Sequence, residues 1–120
     1  MDRRATGAHA EGIARRFLCA QGLELICENY RCRLGELDLV MREGGTLVIV
    51  EVRMRTHAGY GGAVASVDRF KQQRIVRATQ HLLLAHPRLG RLPVRFDVVS
   101  FEPRTARRLD WIRAAFEAGR

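Results

Sequence analysis

The stretch GELDLVMREGGTLVIVEVRMR, residues 35–55, decides how this chain folds. At its centre Gly44-Gly45 is a two-residue loop of the kind that type I′ hairpin turns favour, because both central residues need positive φ. Pairing Glu43 with Thr46 then fixes the register by counting outward. Met41 faces Val48, Leu39 faces Val50 and Leu37 faces Val52, which gives one continuous apolar face. On the other face Val40 opposes Ile49, Asp38 opposes Glu51 and Glu36 opposes Arg53. Strand alternation forces this sorting, since a slip of one residue would exchange the faces. Two carboxylates set directly opposite each other repel unless a cation sits between them.

The elements on either side follow from periodicity and punctuation. Residues 1–6 read as a flexible basic arm. A helix from about Gly7 to Gln21 carries Ala10, Ile13, Ala14, Phe17 and Leu18 at helical spacing, and Gly22 ends it. LELICEN, residues 23–29, alternates as a first strand before the hairpin supplies the second and third. THAGYGGAVA, residues 56–65, is a glycine-rich loop. Ser66 is placed to cap a long helix that runs to about Ala85, with Asp68 favourable near its positive end, and His86-Pro87 terminates it. VRFDVVSF, Val94 to Phe101, is a fourth strand. Residues 107–113 form a short fifth, followed by a helical turn through Ala114–Ala118. The order α-β-β-β-α-β-β describes a single α/β domain with a central mixed sheet flanked by helices.

At 120 residues the chain is long enough to bury roughly two-thirds of its unfolded surface without disulfides or a structural metal. The formal net charge of +8 points to a polyanionic partner, with nucleic acid first and an anionic membrane surface second. Cys19, Cys27 and Cys32 are odd in number and form no CxxC pair, so a reduced, cytoplasmic setting is expected. His9, His57, His81 and His86 show no zinc-ligand spacing. There is no apolar signal core and no run of transmembrane length. Lys71 is the only lysine; every other basic position except histidine is arginine.

ENYRCRLGELDLV, then VIVEVRMR, a glycine-bearing loop, Lys71 on a helix and RFDVVSF together resemble the YraN-like family of small bacterial proteins. The resemblance runs from Glu11 to Phe116. It implies a restriction-endonuclease-like fold with a likeness to archaeal Holliday-junction resolvases. Carried over by position, the acid of the second strand is Asp38, the glutamate of the E-x-K element is Glu51 and the glutamate of the first helix is Glu11. The lysine of that element falls on Arg53, a departure from the PD-(D/E)xK pattern.

On this reading Asp38 and Glu51, with Glu11 leaning over the sheet edge, hold Mg²⁺ or Mn²⁺ through hard oxygen ligands. Glu36 has its own explanation as an ion-pair partner of Arg53 across the hairpin. Arginine supplies charge and bidentate phosphate contacts but cannot act as a base. Lys71 shares the helix face that packs on the sheet, with Val67 and Ile75 four residues to either side, and can reach toward the site or toward solvent. Phosphate contacts are expected from Arg3, Arg4, Arg31, Arg33, Arg55, Arg74 and Arg77, which would fix position without reading sequence. Tyr60 is the aromatic placed to touch a splayed base. Sparse aromatics argue against a dedicated single-strand RNA module.

The resulting expectation is a metal-dependent, structure-selective DNA endonuclease, with a homodimer expected by analogy with resolvases. A non-catalytic DNA-binding protein with a relic site is the first alternative, and a basic protein acting on RNA or a ribosomal partner the second.

Overall fold

The computed structural model describes residues 3–54, 67–102 and 109–118, and in the first helix it describes side chains from His9 onward. Helix α1 spans Arg3–Ala20. It begins four residues before Gly7, so Arg3 and Arg4 lie in its first turn and not in a flexible arm. Arg and Ala are among the strongest helix formers, and Arg3-Arg4-Ala5 extends the helix for that reason. Ala10, Ala14 and Leu18 form its buried stripe. The helix stops where Gly22 takes φ 99°. Leu23 N–H then bonds Leu18 O at 3.1 Å and Gly22 N–H bonds Cys19 O at 3.0 Å, the two bonds of a Schellman cap.

Strands β1 (Glu24–Cys32), β2 (Gly35–Glu43) and β3 (Thr46–Met54) follow. Helix α2 (Arg69–Ala85), a 3₁₀ turn at Leu89–Arg91, β4 (Val94–Phe101) and β5 (Asp110–Phe116) complete the fold. The sheet order is β1-β2-β3-β4-β5. Neighbours are antiparallel except β3 and β4, which are parallel and joined by the α2 crossover. The element order and the mixed sheet are those expected for the restriction-endonuclease-like architecture.

Three further boundaries differ from the expected ones. β1 continues to Cys32 instead of ending near Asn29, because its registered pairing with β2 runs on to Cys32↔Gly35. The cap of α2 is Asp68, whose side chain accepts from Lys71 N–H at 2.8 Å; Ser66 lies outside the described residues. The helical turn expected through Ala114–Ala118 does not form, and strand runs on to Phe116. Phe116 stacks on Phe96 with ring centroids 5.0 Å apart, and Asp97 Oδ1 accepts from Ala114 N–H at 3.0 Å. These tertiary contacts override the helical propensity of Ala114-Ala115 and hold Ala114 at φ 49°.

The core lies on both faces of the sheet. Leu37, Val40, Leu47, Ile49, Phe96 and Val98 pack with Ile75, Ala78 and Leu82 of α2. Leu39, Met41, Val48, Val50, Val99 and Phe101 pack with Ala10, Ala14 and Leu18 of α1. The hairpin therefore lacks the polar face expected from it, since a βαβ crossover on one side and α1 on the other bury both. Among the described residues no helix is long and apolar enough to cross a membrane.

Candidate active site

The hairpin register is the one counted from the glycines: Glu43↔Thr46, Met41↔Val48, Val40↔Ile49 and Leu39↔Val50. The turn differs from type I′, because Gly44 alone of the two glycines takes positive φ, at 57°. That is the pattern of a type II′ turn, which needs positive φ only at its first central residue. Beyond Leu39↔Val50 the registered pairing of β2 with β3 ends. Leu37 enters the core under α2, whereas Leu39 enters the core under α1, so strict alternation breaks at Asp38.

The break has a chemical cause. Val52 N–H donates to Asp38 Oδ2 at 2.9 Å, so a side-chain carboxylate takes a donor that an uninterrupted ladder would give to a β2 carbonyl. Asn29 on the neighbouring strand takes φ 50°, a left-handed conformation that Asn tolerates better than most residues. Gly35, where β2 begins, lies against α2 so closely that a Cβ there would stand 2.9 Å from Arg74 O. Strand and helix could not approach this way with any other residue.

Asp38 and Glu51 come together as the sequence suggested, although not as a cross-strand pair. Their carboxyls are within hydrogen-bonding reach of each other. Leu37 does not face Val52, and Glu36 does not face Arg53. Glu36 instead accepts from Arg31 Nε at 3.3 Å. Arg53 turns to its own strand, with Nε 3.5 Å from Glu51 Oε1, and Lys71 Nζ is 3.7 Å from the same oxygen. The lone lysine is thus drawn to the buried glutamate, and its stem runs along the α2 face.

Burial dominates the electrostatics. It pushes the Glu51 carboxyl up to about 8, with Asp38 adding to the rise and Lys71 and Arg53 opposing it. Asp38 is also raised by burial, against the Val52 N–H, the Glu51 hydrogen bond and Lys71. The pair therefore keeps a proton through neutrality, because a buried carboxylate in contact with a second, half-buried one does not ionise alongside it. Glu11 on α1 is raised to about 7 by burial first and by Asp38 second, while the Asn29 side chain pulls it down. Glu11 accordingly feels the field of the pair. Among the described residues, however, no three His, Cys, Asp or Glu side chains stand together as a ready ligand set.

That donor set fits a small hard cation better than a large one. Mg²⁺ is commonly held by one or two carboxylates with water and phosphate in its remaining positions, whereas Ca²⁺ asks for six to eight oxygen ligands. Asp38 and Glu51 would be the holders, and a divalent cation would take the place of the shared proton.

A model of the uncharacterised protein family UPF0102 matches residues 10–101. The chain belongs to the UPF0102 family. It is 53% identical over 114 residues to a UPF0102 protein of Methylococcus capsulatus, covering 94% of this chain and 91% of the relative. A UPF0102 protein of Methylobacillus flagellatus is 48% identical over 112 residues, covering 93% and 96%. One from Legionella pneumophila is 43% identical over 113 residues, covering 94% and 95%. The YraN-like resemblance of the sequence thus holds along nearly the whole chain.

The basic positions of this UPF0102 chain do not all converge on the carboxylates. Arg31 is tied to Glu36, and Arg33 is exposed in the β1–β2 turn. Arg74 and Arg77 are exposed on α2, with the Arg74 guanidinium 5.9 Å from the centre of the Phe70 ring. Arg55 and Tyr60 lie outside the described residues. Sequence reasoning missed Asn29, Phe70 and Ser100. Phe70 adjoins Lys71 in the chain and is 69% exposed, which no apolar periodicity would announce. Ser100 is a buried polar residue of β4, as Asp97 is, and nothing in VRFDVVSF set it apart.

Proposed function

We propose that this protein is a divalent-metal-dependent, structure-selective DNA endonuclease that hydrolyses phosphodiester bonds in recombination, repair or DNA uptake. The observation that carries this reading is the contact of a half-buried Asp38 with a buried Glu51, backed by Lys71 and Arg53. A purely structural acid would not be set against a second acid in a buried site. A bound Mg²⁺ or Mn²⁺ supplies Lewis-acid neutralisation of charge that builds on the scissile phosphate. Asp38, fixed by the Val52 N–H, sets the position of the cation. Lys71 and Arg53 balance the charge of Glu51 and stand ready for phosphate oxygens. Arg33, Arg74 and Arg77, with the arginines of the first turn of α1, contribute salt-dependent attraction to the backbone. Phe70 offers a ring on which an unpaired base can stack.

The net charge and the free cysteines Cys19, Cys27 and Cys32 favour a cytoplasmic setting with DNA as partner. A homodimer suits a branched substrate that must be cut symmetrically. Arg53 at the motif lysine position favours one second reading, a DNA-binding protein that does not cut.

The test is nicking of flap, four-way-junction and linear DNA with Mg²⁺ or Mn²⁺. Wild type is expected to cleave, and Asp38→Asn and Glu51→Gln to lose at least about a hundredfold in rate. Metal-dependent cleavage no greater than that of the two variants on any substrate would sink the enzyme reading. Salt-dependent DNA binding that survives both substitutions would then support the second.

A further inference from the structure

Among the described residues, two buried side-chain polar atoms have no hydrogen-bond partner: Arg53 Nε and Ser100 Oγ. They are neighbours. β3 and β4 run parallel with Arg53 in register with Ser100, and residues so paired share a face of the sheet. Ser100 follows Phe96 and Val98 at two-residue steps, and Arg53 follows Ile49 and Glu51, so both fall on the face covered by α2. Glu51 is one step back on β3, in register with Val98.

Native proteins leave few buried polar groups unpaired, and each unpaired one is costly. An arginine Nε can only donate, and a serine hydroxyl can donate as well as accept. Glu51 Oε1 is 3.5 Å from Arg53 Nε without forming a hydrogen bond. Arg53 Nε thus lacks an acceptor and the Ser100 hydroxyl beside it lacks any partner, and the guanidinium charge selects an anionic ligand. The Arg53 side chain keeps 31% of its surface exposed, while Ser100 is fully buried.

We propose that Arg53 Nε and Ser100 Oγ form an oxyanion notch for a non-bridging oxygen of a phosphodiester, which makes Ser100 a substrate-binding residue of the site. The proposal deepens the nuclease reading and rests on it for the substrate class. It also gives the arginine a part that lysine could not play. Nε and a terminal nitrogen of one planar fork can hold two oxygens of the same phosphate, whereas an ammonium is a single point.

The test is ¹⁵N NMR of the arginine Nε–Hε signals of the full chain, titrated with thymidylyl-thymidine in Mg²⁺. The methylphosphonate analogue of that dinucleotide, which is uncharged at the linkage, is the control. The Arg53 signal is expected to shift saturably with the diester and not with the control. Ser100→Ala should weaken that binding by about three- to tenfold, and Ser100→Thr, which keeps the hydroxyl, should restore it. An Arg53 signal that stays put at the highest diester concentration overturns the proposal, as does undiminished binding in a folded Ser100→Ala protein. Cleavage without the shift would remove the notch and leave the nuclease reading standing. The shift without cleavage would do the reverse.

Discussion

Asp97 and Glu51 are buried acids of the same sheet with opposite surroundings, and Glu51 meets the half-buried Asp38. Asp97, fully buried, accepts from Arg95 Nε at 2.9 Å, Arg95 Nη2 at 3.0 Å, Trp111 Nε1 at 2.9 Å and Ala114 N–H at 3.0 Å. Arg95 in turn holds Glu43 Oε1 at 2.9 Å, and Arg113 reaches the other Glu43 oxygen. Every lone pair that matters there has a donor. At the other site, Asp38 and Glu51 share one backbone N–H, two cations at 3.5 and 3.7 Å, and each other. The first arrangement welds β5 onto the sheet. The second leaves electrostatic tension unrelieved, as expected where a ligand is to complete the charge balance.

The sharpest way to break this contrast is to truncate one acid at each site. Asp97→Ala strands the Arg95 guanidinium and the Trp111 indole, and should destabilise the protein by about 3–5 kcal/mol in urea denaturation. Glu51→Gln should act in the opposite direction. The folded protein keeps the Glu51 proton to about pH 8, whereas the unfolded chain releases it near 4.5. Between those values the unfolded state binds fewer protons, so stability falls as pH rises. Removing the acid should therefore stabilise the protein at pH 7 by up to about 3 kcal/mol. The same substitution should flatten the decline in melting temperature between pH 5 and pH 8. An unchanged slope would mean that Glu51 ionises normally in the folded state.

A smaller effect is expected from Gly35→Ala. Its Cβ would sit 2.9 Å from Arg74 O, a backbone atom that cannot swing aside. Displacing the start of β2 from α2 should cost about 1–3 kcal/mol, read from the urea midpoint. A neutral result would show that the strand start is looser than its approach to α2 implies.

The sequence carried the hairpin register as far as Leu39↔Val50, because a glycine turn and the apolar pairs Met41/Val48 and Leu39/Val50 demanded it. It could not carry the next residues. Alternation assumes an intact ladder, and Asp38 replaces one rung with its own carboxylate. The two-sided core was hidden for a related reason: Val40 and Ile49 read equally well as one edge of a polar face. Ala114–Ala118 looked helical because the stacking of Phe116 on Phe96 and the pull of Asp97 act across the chain. Lys71 was legible from composition alone, as the single lysine among arginines, and it stands beside Glu51. Ser100 was not, since one serine in a strand says nothing about whether its hydroxyl finds a partner.

If Asp38 and Glu51 hold a divalent cation, the cation displaces the proton that the pair otherwise keeps. Calorimetric titration with Mn²⁺ at pH 6 and pH 7.5, in buffers of different ionisation enthalpy, tests it directly. Binding should be tighter at the higher pH and release about one proton per ion near pH 7, and Asp38→Asn and Glu51→Gln should each abolish it. Absence of binding in the wild type, or equal binding in both variants, would show that the pair holds no cation.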